Sequence, residues 1–197
     1  MKVESGTGNG YYAHVNAENS LSVAATTVSR QHYAAKVNQR SFQVIGEATA
    51  ANGTVNVLHL TNNSSNQTYT VTYIRLSTID LAGGTALPSG ANYFEVGTGL
   101  TYTSGGSQVD EVNTYLGSVV TAQGSFYDTN PTLSGTMAVL DKHKCKADGD
   151  EHTYNKEGSV IIPPGGSMTI RFTSDNTSGE VYCRVSFYVS NIDSLDT

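Results

Sequence analysis

Between Val181 and Ser190 the residue types alternate without a break, Val181, Cys183, Val185, Phe187 and Val189 against Tyr182, Arg184, Ser186 and Tyr188. A period of two puts the first set on one face of an extended strand. Such a face must be covered by a second layer, so the chain has to supply more strands. Ser41–Ala50, Gly53–Asn62, Thr132–Leu140, Ser159–Ile162 and Ser167–Thr173 read as strands of this kind. Thr68–Thr78 does too, with Tyr69, Val71 and Tyr73 opposite Thr68, Thr70 and Thr72. Ile74 and Leu76 break its alternation, which implies a bulge or burial on both faces. Asn92–Val96 and Leu100–Thr103 read as short strands split by Gly97-Thr98-Gly99, and Val109–Leu116 and Ser118–Tyr127 as two more. Ala51-Asn52-Gly53 carries the Asn-Gly signature of a hairpin. Pro163-Pro164-Gly165-Gly166 suits a crossing from one sheet to another. The expectation is an all-β, jelly-roll-like β-sandwich over residues 41–197.

Composition supports this. Apolar residues make up 38% and charged residues 14% of the 197 positions, both below the usual share for globular chains. Ser, Thr, Asn and Gly fill the difference, as befits short strands joined by many turns. The net charge of −6 argues against nucleic-acid binding by the whole domain. No apolar run is long enough to span a membrane as a helix, and the start of the chain has one cation and no apolar core, so no secretory leader is expected.

Residues 1–40 read differently, as an extended N-terminal arm. A Gly- and Ser-rich start leads to Tyr11-Tyr12-Ala13-His14, and Leu21, Val23 and Ala25 alternate as in a short strand added to another sheet. Residues 29–39 allow one or two helical turns. Lys2, Arg30, Lys36 and Arg40 against Glu4 and Glu18 give this arm a charge of +2, which leaves −8 on the body. An arm of opposite charge to its body suits contact with a neighbouring acidic surface, and Arg30, His32, Tyr33, Lys36 and Arg40 are its candidate partner-binding residues.

Catalytic motifs are absent from the sequence. Gly6-Thr7-Gly8-Asn9-Gly10 and Gly97-Thr98-Gly99 lack the context of phosphate loops, and no nucleophile elbow or His-Glu-x-x-His occurs. The charged stretch Asp141–His152 contains His143, Cys145, Asp148, Asp150, Glu151 and His152. Its spacing matches neither a zinc motif nor an EF-hand, so it reads as a solvated loop, with Ca²⁺ at the acidic run favoured over Zn²⁺ if an ion binds at all. No cofactor or metal is therefore expected. Cys145 and Cys183, the two cysteines, are candidates for a disulfide. Tyr93 and Tyr102, beside the Gly-rich 82–106 region, offer rings for a sugar, although such platforms usually use Trp, which this chain lacks.

The stretch His14-Val15-Asn16-Ala17-Glu18-Asn19-Ser20-Leu21, with Arg30–Ala35 and then Ser41-Phe42-Gln43-Val44-Ile45-Gly46-Glu47-Ala48, resembles the N-terminal region of small virion structural proteins of tailed bacteriophages. The resemblance covers the first quarter of the chain. It implies a non-enzymatic capsid decoration (cement) protein or a neck-associated protein, made in the host cytoplasm and residing on the capsid surface. Its expected partners are further copies of itself, as a trimer, and the major capsid protein, with no nucleic acid and no membrane. A neck, head-fibre or tail adaptor, or a carbohydrate-binding module reading host glycans, is the alternative.

Overall fold

A computed structural model describes residues 14–15, 21–22, 30–82, 92–145 and 149–192. In chain order the elements are β1 (His14–Val15), β2 (Leu21–Ser22), α1 (Arg30–Lys36), β3 (Ser41–Thr49), β4 (Gly53–Asn62), β5 (Gln67–Ala82), β6 (Tyr93–Ser104) and β7 (Ser107–Gln108). Then follow β8 (Val112–Asn113), β9 (Gly124–Asp128), β10 (Thr132–Lys144), β11 (Glu151–Ile162), β12 (Ser167–Ser174) and β13 (Ser178–Asn191). β11-β5-β13-β3-β8 form a five-stranded sheet and β10-β6-β12-β4-β9-β7 a six-stranded one, while β1 pairs with β2 alone. Every pairing is antiparallel. The chain is an all-β sandwich.

The core lies between the two sheets. β13, flanked by β5 and β3, buries the alternating set Val181, Cys183, Val185, Phe187 and Val189. Phe187 is the junction. Its ring stands 4.9 Å from Tyr69 on β5, 5.7 Å from Phe42 on β3 and 6.1 Å from Phe126 on β9 of the opposite sheet. Phe94 and Phe172 form a second pair at 4.7 Å within the six-stranded sheet. Offset aromatic contacts of this kind add to the area they bury. Thr72 is the extra residue where β5 slips against β13, between the pairs Tyr73–Ser186 and Val71–Phe187. That bulge lets Tyr69, Val71, Ile74 and Leu76 all face inward, which accounts for the broken alternation.

Several strand readings hold closely. β4 spans Gly53–Asn62 as expected, and Pro163–Gly166 carries the chain from β11 in one sheet to β12 in the other. Others need correction. Ala51-Asn52-Gly53 does not close a hairpin, because β3 and β4 belong to different sheets. The two strands lie face to face, and Gly46 permits the approach: a Cβ there would sit 2.7 Å from the Val57 carbonyl oxygen. Gly97-Thr98-Gly99 does not split two strands but lies inside β6, opposite a bulge in β10 where Thr136 and Met137 together face Gly99. Of Val109–Leu116 and Ser118–Tyr127, only Val112–Asn113 and Gly124–Asp128 are strand. Asp141–His152 is not a free loop, since its two ends are the last residues of β10 and the first of β11.

The Tyr69 hydroxyl is buried and has no hydrogen-bond partner, and burial raises its pKa far above the ordinary value. Phe187→Ala and Tyr69→Phe should therefore move stability differently. The first should cost about 3–5 kcal/mol through the void it leaves. The second, which deletes only an unsatisfied group, should be neutral or stabilise by about 1 kcal/mol. Urea unfolding of the two variants beside the parent checks both, and a loss above about 1 kcal/mol for Tyr69→Phe would contradict the account.

Candidate functional site

The sequence-predicted arm residues sit where the chain meets the sandwich. Arg30 opens α1, and His32, Tyr33 and Lys36 lie on it with exposed side chains. Ala34 is buried. The helix ends where the Arg40 amide donates to the Ala34 carbonyl at 2.8 Å, with Gln39 at a left-handed φ of 52°. The Arg40 carbonyl accepts from the Val189 amide at 2.9 Å, and its guanidinium donates to Asn191 Oδ1 at 2.9 Å. Arg40 thus fastens the segment that follows α1 to β13. Leu21–Ser22 pairs with His14–Val15 of the arm itself, not with a sheet elsewhere; Val23 and Ala25 lie outside the described residues.

An apolar edge adjoins this corner. β8 is the last strand of the five-stranded sheet, and the segment around it is bound to the residues that follow α1. Asn113 Nδ2 donates to the Gln39 carbonyl at 2.7 Å, and the Thr114 amide to the Ser41 carbonyl at 2.8 Å. The loop beyond is tied to itself: the Ser118 amide donates to the Tyr115 carbonyl at 3.0 Å, the Val120 amide to Ser118 Oγ at 3.1 Å, and the Ala122 amide to Glu111 Oε1 at 2.7 Å. On this ordered loop Leu116 is 86% and Val119 93% exposed. Val112 and Tyr115 flank them in sequence and are exposed too, and Tyr33 and Val37 are exposed on and just after α1. Four of the large apolar side chains exposed among the described residues fall on this one eight-residue segment, and clusters of that sort mark interaction surfaces. Sequence reasoning missed them because it placed 109–116 and 118–127 in strands, where alternate residues would be buried.

On the opposite edge, β10 and β11 run along the same side of the sandwich, one in each sheet, and polar side chains bridge them. Lys156 Nζ donates to Asp141 Oδ2 at 2.6 Å and lies 4.8 Å from the centre of the Tyr154 ring. Burial pushes the Asp141 carboxyl up, but Lys156 and the Lys142 amide outweigh it and hold it below its usual range. Further along, the rings of His143 and His152 stack at 3.9 Å, and Tyr154 meets His152 edge-on at 4.3 Å. His143 Nε2 is 3.4 Å from Asp150 Oδ2. The donor atoms of His143, Cys145 and Asp150 all lie within 4.8 Å of one another. Glu151 turns away to Arg75 on β5, so it does not join Asp150 in an acidic ion site; Asp148 lies outside the described residues. Cys145 and Cys183 are separate buried thiols, not a disulfide, and burial pushes the Cys145 thiol up to about 12.

No protein-family model matches the sequence, and no curated protein matches it.

The two tyrosines weighed as a sugar platform are partly covered. Tyr102 stacks on Tyr127 at 3.8 Å, and Lys142 Nζ lies 3.4 Å from the centre of the Tyr93 ring. Lys142 also pairs at 3.3 Å with Glu95, which accepts from Arg171 at 2.7 Å. Burial raises the Glu95 pKa, but the bonds from Arg171 and Lys142 outweigh it and hold the carboxyl below its ordinary range. The 83–91 part of the Gly-rich region lies outside the described residues.

His59, fully buried on β4, is held between Thr169 Oγ1 at 2.9 Å and Thr61 Oγ1 at 3.2 Å. Burial pushes its pKa down to about 4, whereas in the unfolded chain it takes a proton near pH ~6.5. Between these values the unfolded state binds more protons, so stability should fall as pH drops through that window and level off below it. His152, also lowered by burial and by His143, adds in the same direction. His59→Gln should flatten the limb, and urea midpoints measured against pH for parent and variant check it; parallel curves would disprove the assignment.

Proposed function

We propose that this protein is a structural protein of a tailed-phage virion, a capsid decoration protein that works by attachment. In this reading it assembles with copies of itself, as a trimer, and holds adjacent major capsid subunits together. The virion setting rests on the resemblance of residues 14–48, and the observation that supports attachment is the exposed apolar edge formed by Leu116, Val119, Val112 and Tyr115, tied through Asn113 to the segment that follows α1. A preordered apolar loop loses little freedom on docking. A segment of charge +2 entering a body of charge −8 favours contact with an acidic neighbour. Many copies held at once make release slow even when each contact is weak.

The strand order is consistent with a jelly roll. Eight long strands divide as β11-β5-β13-β3 and β10-β6-β12-β4, and we read these two sets as the four-stranded layers of two Greek keys. β7, β8 and β9 are then an insertion between β6 and β10, and it is this insertion that presents the apolar edge. A neck or adaptor protein would use the same edge in fewer copies. Glycan recognition draws less support, since Tyr93 and Tyr102 each have one ring face already occupied.

The test is co-sedimentation of the purified chain with capsids that lack it, and quantification of copies per virion. Hundreds of copies are expected. Leu116→Ser with Val119→Ser, two exposed changes that leave the urea midpoint unaltered, should weaken capsid binding roughly tenfold or more. Full decoration by the double variant would overturn the role of this edge. A handful of copies per virion would replace decoration with the neck reading.

A further inference from the structure

The ends of β10 and β11 bring together an imidazole, a thiol and a carboxylate that are far apart in type and close in space. We propose that His143, Cys145 and Asp150 form a binding site for a zinc-class divalent cation that joins the two sheets at their shared edge. The donor atoms lie within 4.8 Å of one another, and a tetrahedral shell with bonds of about 2.0–2.3 Å separates its donors by roughly 3.5 Å. A closure of about 1 Å suffices. His143 Nε2 and Asp150 Oδ2 already stand at 3.4 Å, longer than a good hydrogen bond and close to the spacing of two ligands on one ion.

The backbone under the ligands is fixed. The Cys145 amide donates to the Asn92 carbonyl at 2.9 Å. Asn92 is itself held in a buried network, accepting from Ser174 Oγ at 2.7 Å and from Asn176 Nδ2 at 3.0 Å. The Asp150 carbonyl accepts from the Thr78 amide of β5 at 3.2 Å. His152 stacks on His143 with the ring planes 10° apart, so it fixes the plane of that imidazole. Two parallel stacked rings cannot both aim a nitrogen at one ion, which makes His152 a positioning residue and not a fourth ligand. Supporting side chains of this kind are what hold a first shell in register.

The donor set selects the metal. Sulfur and imidazole suit Zn²⁺ and its spectroscopic substitute Co²⁺, whereas Ca²⁺ and Mg²⁺ require a shell of oxygens that this site does not offer. On binding, the Cys145 S–H bond breaks, its proton passes to water, and the sulfur lone pair forms the bond to the metal. Three protein ligands leave one position for water or an outside donor. The inference is independent of the attachment role proposed above.

The experiment uses the full chain freed of metal by a chelator and titrated with Co²⁺, then Zn²⁺. One equivalent of Co²⁺ should produce a near-ultraviolet thiolate-to-cobalt absorption that Zn²⁺ abolishes, and Zn²⁺ should raise the melting temperature. His143→Gln and Asp150→Asn should each weaken affinity by roughly 100-fold, and Cys145→Ser should remove the thiolate band, while Cys183→Ala keeps it. Because Cys145 is buried, the two half-buried positions decide the matter if the Cys145 variant fails to fold. Absence of the thiolate band in the parent, unchanged affinity in His143→Gln and Asp150→Asn, or stabilisation by Ca²⁺ in place of Zn²⁺ would each overturn the proposal.

Discussion

Face-to-face burial across the two sheets is the constraint from which the rest follows, and Phe187 is where it is most concentrated. The ring touches aromatic residues on both neighbouring strands and on the opposing sheet. Its position depends on the Thr72 bulge, which rephases β5 so that Tyr69 and Ile74 point the same way. The middle of the sandwich is closed in this manner, and the polar groups it does hold, such as His59 and Thr169, are paired there or left without a partner, as the Tyr69 hydroxyl is. One edge became apolar and the other polar, and these are the two places where the molecule has something to offer a partner.

Much of the core was readable in advance because it follows the simplest rule, a period of two. Val181–Val189 is legible as a strand from alternation alone, whereas in Gly53–Asn62 the consecutive buried residues Val57–Leu60 do not follow it. The partner of each strand was not legible. Ala51-Asn52-Gly53 has the composition of a hairpin turn, but composition reports local backbone freedom and says nothing of whether the next strand lies beside or above the last. Here the absence of a side chain at Gly46 made stacking feasible. The fastening of Arg40 to Val189 and Asn191 joins positions about 150 residues apart, which no local pattern encodes.

Asp141–His152 shows a further limit. High charge and mixed types normally mark a solvated loop, and the sequence offers no sign that Asp141 meets Lys156 or that His143 lies over His152. Edge strands tolerate this composition because their exposed faces need no apolar cover, and charges there also discourage pairing with other chains. The polarity that made this stretch look like loop is the polarity that lets β10 and β11 serve as outer strands.

The junction at Arg40 also has a mechanical meaning. Arg40 precedes β3, Asn191 ends β13, and the two strands are hydrogen-bonded neighbours in antiparallel register, with Ser41 opposite Tyr188. The two flanks of the sandwich therefore depart from one corner. A force pulling those flanks apart would load the β3–β13 ladder like a zipper, one rung at a time, with little resistance. A force that draws both flanks in the same direction would load no ladder bond first and would be carried by the whole core. The corner is thus a weak point for a chain stretched between two anchors and a strong one for a chain hung from a single anchor.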